Sequence, residues 1–237
     1  IEAARGAVAD HLRRHGFRHF KITSTRAFET IFKISYEILG DPKISIVIPN
    51  KDHTQDLRRC IDSIFAKTTY ENVEVVVVEN GSLTPEIFRY YEELKQKPYA
   101  DCVKVVTCQR AEGEAFNFSR VVNFGVSQTS GDFLVLLNND VEIITVNWLE
   151  ELLMYAQRQD VGAVGGKLYF PDRTIQHAGV ILGLGAHRTA GHAHYGMSRQ
   201  NLGYMGRLCY AQDMSAVTGA CLMVAKAKFE EVGGFDP

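Results

Sequence analysis

Three apolar runs, each breaking abruptly into a polar cluster, constrain this chain more than any other feature. Ile44-Ser45-Ile46-Val47-Ile48 runs into Pro49-Asn50-Lys51-Asp52, residues 73–78 run into Glu79-Asn80-Gly81-Ser82, and Phe133-Leu134-Val135-Leu136-Leu137 runs into Asn138-Asn139-Asp140. Short runs of this kind read as buried parallel strands. Between the first two, residues 56–66 put Leu57, Cys60, Ile61, Ile64 and Phe65 on one helical face, so strand, helix and strand form a βαβ unit. Open sheets of such units place ligands just beyond the carboxyl ends of their strands. The three clusters then share one edge, and Asp140 is the first residue to test for function.

The alternation continues with a helix over 85–97, a strand over 103–107 and helices over 119–127 and 148–157, which predicts a doubly wound, mostly parallel α/β sheet flanked by helices. Ahead of it, residues 3–15 have helical spacing, and segments 17–22 and 27–38 alternate like strands. Gly40-Asp41-Pro42 then punctuates the chain. The expected division is a small N-terminal α+β extension over 1–42 and a main domain over 43–237. Residues 162–206, rich in glycine and histidine, read as a loop-dominated cap over the site.

A net charge of -2 leaves no basic footprint for nucleic acid or an anionic membrane surface. Five cysteines, with no Cys-x-x-Cys spacing, suggest neither a disulfide framework nor a zinc ribbon and fit a reducing cytoplasm. No apolar segment approaches the roughly 20 residues that span a bilayer, and no signal peptide is expected at Ile1. A start on Ile1 and an end within the turn-like Gly233-Gly234-Phe235-Asp236-Pro237 read as one piece of a longer protein.

The chemistry is narrowed by what is missing. No Gly-x-Gly-x-x-Gly follows the first strand and no Gly-x-x-x-x-Gly-Lys-Ser/Thr occurs, so neither a nicotinamide fingerprint nor a P-loop is present. A phosphate-bearing ligand would then need a cation, and Asp140 with its neighbouring amides supplies the oxygen donors that hard cations prefer. The bland readings stand beside this one: Asn80-Gly81 is also a turn signal, Asn138 and Asn139 also suit a strand end, and loop histidines are more often merely hydrogen-bonded. Trp148 reads as core, and Arg188, Arg199 and Arg207 as surface charges.

Ile46-Val47-Ile48-Pro49, Val75–Ser82, Gly131–Asp140 and the pair Thr218-Gly219-Ala220 and Glu231–Asp236, in this order, resemble family 2 glycosyltransferases of the GT-A fold, of the kind that serve bacterial polysaccharide synthesis. The resemblance covers residues 43–237. It implies transfer of a sugar from a nucleotide-sugar donor, UDP- or dTDP-linked, to a saccharide or other cell-envelope acceptor, with inversion and with Mn2+ or Mg2+. It also implies work in the cytoplasm or at the inner face of the cell membrane, with peripheral membrane association. By the same resemblance Pro49, Asn50 and Asp52 border the nucleoside. Glu79, where relatives usually carry Asp, accepts a hydrogen bond from the base, with Asn80 beside it. Asn117, Ser119 and Asn123 lie in the segment that approaches the donor. Asp140 closes the metal-binding Asp-x-Asp, in which Asn138 replaces the first Asp and Asn139 stands between. Of the histidines His177, His187, His192 and His194, the extended Gly191-His192-Ala193-His194 makes His192 or His194 a candidate further metal ligand. The general base is expected beyond Pro237. The competing expectation, from Asn138 and that missing base, is a noncatalytic nucleotide-sugar-binding or interaction module of a larger synthase.

Overall fold

The computed structural model describes residues 1–109, 115–184 and 188–237, which form two compact units. Leu39–Val164 with Gly219–Pro237 makes the sheet unit, and Ile1–Ile38 with Gly165–Thr218 makes the other. The N-terminal segment therefore groups with residues of the later loop region rather than standing as an extension of its own. The reason is local packing: Gly206, at φ +73, sits so close to the 28–31 turn that an added Cβ would lie 2.4 Å from the Ile31 side chain.

The first unit opens with α1 (Glu2–Arg14), then β1 (Phe20–Ser24) and β2 (Phe32–Tyr36), an antiparallel pair in register Phe20 to Tyr36. Helix α1 covers this pair with few apolar side chains. Only Leu12 is buried, and Arg5 and Arg13 lie over the rings of Phe32 and Phe20 at 5.7 and 5.9 Å.

In the sheet unit, β3 (Ile44–Asn50), α2 (Thr54–Lys67), β4 (Val73–Glu79), α3 (Pro85–Leu94), β5 (Val103–Thr107), α4 (Phe118–Ser127), β6 (Phe133–Leu137) and α5 (Trp148–Ala156) follow the predicted alternation. Strands β3, β4, β5 and β6 are mutually parallel where they pair. The chain leaves this unit within β7 (Val164–Gly165). It then forms β8 (Leu168–Tyr169), β9 (Ile175–His177), β10 (Val180–Leu182) and β11 (Ala190–His192) in the first unit, paired antiparallel as β8 with β9 and β10 with β11. It returns as β12 (Cys221–Ala225), antiparallel to β6, and ends in α6 (Lys226–Glu231). The six-stranded order is β5-β4-β3-β6-β12-β7.

Both faces of the central strands are buried. Val47, Val76, Val78, Leu134 and Leu136 pack with Val121, Val122 and Val126 of α4, while the alternating residues Ile46, Ile48, Val75, Val77 and Val135 are equally inaccessible. Burial of such a side chain contributes about 1.5–3 kcal/mol, so the central strands form a rigid base for their own ends. The approach of α4 depends on Gly125, where a Cβ would stand 2.6 Å from both Val47 and Val78.

Candidate functional site at the strand ends

The ends of β3, β4 and β6 are tied into one hydrogen-bonded cluster. Glu79, 4% exposed, accepts from the Ser82 backbone N–H at 2.5 Å, the Ser82 hydroxyl at 2.6 Å and the Tyr91 phenol at 2.6 Å. Gly81 at φ +76 makes the turn that brings Ser82 back onto Glu79. Tyr91 in turn accepts from Asn50 Nδ2 at 3.0 Å, and the same nitrogen donates to the Asp52 carbonyl at 3.0 Å. Asn50 Oδ1 accepts from Asn139 Nδ2 at 2.7 Å. Burial, then the bond to Glu79, pushes the Tyr91 phenol well above its ordinary range, so it stays a hydroxyl donor.

Asp52 sits beside this cluster at φ 54, its N–H donated to Ser82 Oγ at 2.7 Å. Its Oδ1 accepts from the N–H groups of Leu83 and Thr84, both at 2.9 Å, and from the Thr84 hydroxyl at 2.8 Å. The carboxylate thus holds the turn that leads into α3, and the Thr84 and Leu83 N–H groups lower its pKa. Asn80 is buried: its Nδ2 donates to the Cys108 carbonyl at 3.1 Å, and its Oδ1 has no partner among the described residues. Pro49 is half-buried at the β3 end.

Across the cluster, the turn after β6 is anchored by its backbone. Asn138 N–H donates to the Ala220 carbonyl at 3.1 Å, and the Asn138 carbonyl accepts from Val141 N–H at 3.3 Å. Asn138 and Asn139 are half-buried and Asp140 is exposed. Behind the turn, burial first, then the charge of Asp140, pushes the Cys60 thiol up to about 12, so it takes no part as a thiolate.

Of the residues expected at the site, the structure brings Asn50, Asp52, Glu79, Asn139 and Asp140 to one strand edge and gives others different tasks. Asn117 caps α4, its side-chain oxygen accepting from Arg120 N–H at 2.9 Å. Asn123 clasps the backbone of Phe235, donating to its carbonyl at 2.8 Å and accepting from its N–H at 3.0 Å. Glu79 is satisfied by protein donors and does not face solvent. Tyr91 and Ser82 were missed as site residues. Helical spacing marks Ile87, Tyr90, Tyr91 and Leu94 as the buried stripe of α3 but does not single out Tyr91, since the Tyr90 hydroxyl in the same stripe is buried with no hydrogen-bond partner among the described residues.

The histidines form a separate arrangement inside the other unit. His177, 1% exposed, has its Nδ1 2.8 Å from His192 Nδ1, and its Nε2 accepts from the N–H groups of Gly179 and Thr218 at 3.3 and 3.4 Å. Burial, with the neighbouring His192, holds His177 down at about 4. One ring nitrogen of His192 is therefore already taken, and His194 Nδ1 is buried without a partner among the described residues. His187 lies outside the described residues. Among the described residues no group of three or more His, Cys, Asp or Glu stands together to hold a metal ion. A wide hollow of about 480 Å³ lies on the β1–β2 pair, lined by Arg18, His19, Lys21 and Tyr36 among others. It contains none of the residues expected at the site, and the converging carboxylates and amides at the strand ends are the stronger candidate.

A mostly parallel sheet in which β12 runs antiparallel to β6, with polar residues gathered at its carboxyl edge, is the GT-A glycosyltransferase architecture. Two solved structures share it: a mannosyltransferase from Pyrobaculum calidifontis in complex with GDP-Man and Mn2+ (TM-score 0.56, 13% identity, covering 99% of this chain and 56% of that one) and GalNAc-T7 with UDP, GalNAc and Mn2+ (0.62, 18%, covering 86% and 39%). Residues 45–232 match Glycosyl transferase family 2, and the chain belongs to that family. It is 37% identical over 235 residues to the uncharacterized protein y4gI of Sinorhizobium fredii, covering 99% of this chain and 25% of that protein. It is 36% identical over 231 residues to the O-antigen biosynthesis protein RfbC of Myxococcus xanthus, covering 97% and 17%. The chain thus spans a quarter or less of the length of these two relatives. No helix among the described residues is long and apolar enough to cross a membrane.

Proposed function

We propose that this chain is the donor-binding half of a glycosyltransferase, taking a nucleotide sugar at the carboxyl ends of β3, β4 and β6 and passing the sugar, with inversion, to a saccharide acceptor in bacterial cell-surface polysaccharide synthesis. The observation that carries this reading is the continuous bonding of Glu79, Tyr91, Asn50 and Asn139 across three strand ends, which leaves the Asp140 carboxylate exposed beside it.

The cluster divides by what each group has left to offer. Glu79 and Asn50 are consumed inside the protein, so they support the site from behind without meeting the nucleoside. Asp52, with one oxygen bonded to Leu83 and Thr84 and the other without a hydrogen bond among the described residues, is the carboxylate at this edge suited to accept N–H groups of a base. Asp140 would hold a divalent cation, Mn2+ or Mg2+, jointly with the donor's diphosphate. A single carboxylate with amide oxygens fits that shared role and would not retain the ion alone. Such a cation offsets charge on the departing diphosphate. We assign no general base within the chain. The UDP- or dTDP-linked donor, the cytoplasmic location and contact with the inner membrane face belong to the same proposal and rest on the family resemblance; the relationship to the O-antigen biosynthesis protein RfbC supports the role in polysaccharide synthesis.

A thermal-shift screen of nucleotide sugars with Mn2+ tests it. A true donor at 100 times its dissociation constant stabilises the folded chain by about 2.7 kcal/mol, whereas no response to any UDP-, GDP- or dTDP-sugar would remove the reading. Asn138, neutral where the family motif carries Asp, favours one alternative, a module that binds donor without turning it over. A longer chain running past Pro237 that binds donor yet consumes none with any acceptor would establish that alternative.

A further inference from the structure

The hydrogen bonds at the strand ends have a fixed direction, because each member has a limited stock of protons. Tyr91 has one O–H, and at 2.6 Å it goes to Glu79. Its oxygen can then only accept from Asn50, whose two Nδ2 protons go to Tyr91 and to the Asp52 carbonyl. The Asn50 amide is thereby locked with Oδ1 toward Asn139, which must present its Nδ2 there. A flipped Asn139 would set oxygen against oxygen at 2.7 Å. The consequence appears at the far end of the chain: the Asn139 amide turns its own oxygen away from the cluster, and that oxygen has no partner among the described residues.

We infer that Asn50 and Tyr91 are positioning residues that never meet the ligand, and that they act by fixing Asn139 so that its Oδ1 is an acceptor at the site beside Asp140. This rests on the nucleotide-diphosphate reading above. The ligand group it suits is one that seeks an oxygen lone pair, either a ribose hydroxyl or the divalent cation; a group offering only acceptors is disfavoured. Asn50 is 3% exposed, which fits an indirect role better than contact with the nucleoside.

A double-mutant cycle on the 237-residue chain tests the inference, with calorimetry of UDP and GDP binding in Mn2+ and again in EDTA. Asn139→Ala is expected to weaken binding about tenfold and Asn50→Leu nearly as much, one to two hydrogen bonds' worth. In the Asn139→Ala background, Asn50→Leu should add nothing further. Tyr91→Phe, which leaves the Asp52 carbonyl still holding Asn50, should cost about threefold alone and nothing on top of Asn139→Ala. It also serves as the gentle variant should Asn50→Leu not fold. Loss confined to Mn2+ assigns the oxygen to the cation, and equal loss in EDTA assigns it to a hydroxyl. Additive losses would mean that Asn50 and Tyr91 act by touching ligand or by general stability, and would overturn the inference. A wild-type chain that binds neither nucleotide would instead overturn the functional reading on which it rests.

Discussion

The two units bury their polar groups in opposite ways. In the sheet unit, Asn50, Glu79, Asn80 and Ser82 are inaccessible at the ends of strands whose sides are packed with valine, isoleucine and leucine. Their hydrogen bonds run from strand to strand and stop at an open edge. In the other unit the buried polar group, His177, stands among short strands and turns with few buried apolar residues, while Ile181, Leu182, Tyr204 and Met205 are 44–79% exposed. The apolar packing fixes the strand ends, and three protein donors satisfy the Glu79 carboxylate buried there. In the unit with little apolar core, burial and the neighbouring His192 hold the His177 imidazole neutral.

The largest effect is expected in the sheet unit. Leu134→Ala, at a site with no exposure, is expected to cost about 2–5 kcal/mol, seen as an earlier urea midpoint for the whole sheet unit. A loss below 1 kcal/mol would mean that the apolar packing is less continuous than described.

Acidification comes next and separates the units. His177 has a folded pKa of about 4 against 6.5 unfolded, so the stability it supplies is complete above pH 6.5 and declines as pH falls toward 4. That span is worth about 3 kcal/mol. The groups facing it are His192 and the N–H groups of Gly179 and Thr218. Hydrogen exchange should therefore rise in 165–218 between pH 6.5 and 4 while 44–50 and 133–137 remain protected. Glu74 keeps the sheet side stable further down. Burial opposes its ionisation, but the Ser130 N–H, the Ser45 hydroxyl and Lys104 prevail and hold it at about 2. Its contribution is present above pH 4.5 and is lost only as pH falls from there toward 2. Simultaneous loosening of both units would contradict this order.

A smaller effect is expected at the start of α4. Asn117→Ala removes the α4 cap and should cost about 1 kcal/mol while nucleotide affinity stays unchanged, because the structure gives this residue a capping task. A matching loss of affinity would return Asn117 to the site.

The sheet was legible because parallel strands buried on both faces read as unbroken apolar runs, and Asp140 was legible because the break after Leu137 is abrupt. Tyr91 was not, since a tyrosine in an apolar helical stripe shows nothing of the carboxylate its hydroxyl meets across the fold. Glu79 was located correctly at its strand end, yet its three internal donors come from Ser82 and Tyr91 at positions no local pattern links. The grouping of residues 1–38 with 165–218 was hidden for the same reason: it depends on Gly206 approaching Ile31, a contact between segments far apart in the chain. Short strands such as β8 to β11 escaped because two or three residues carry no periodicity.

The most direct test of the central claim is calorimetry of UDP and GDP binding to wild type and Asp140→Ala, each with and without Mn2+. The account predicts that Mn2+ strengthens binding to wild type by at least about tenfold, roughly 1.4 kcal/mol, and that Asp140→Ala removes this increment while metal-free affinity is kept. Equal enhancement by Mn2+ in both proteins would contradict it.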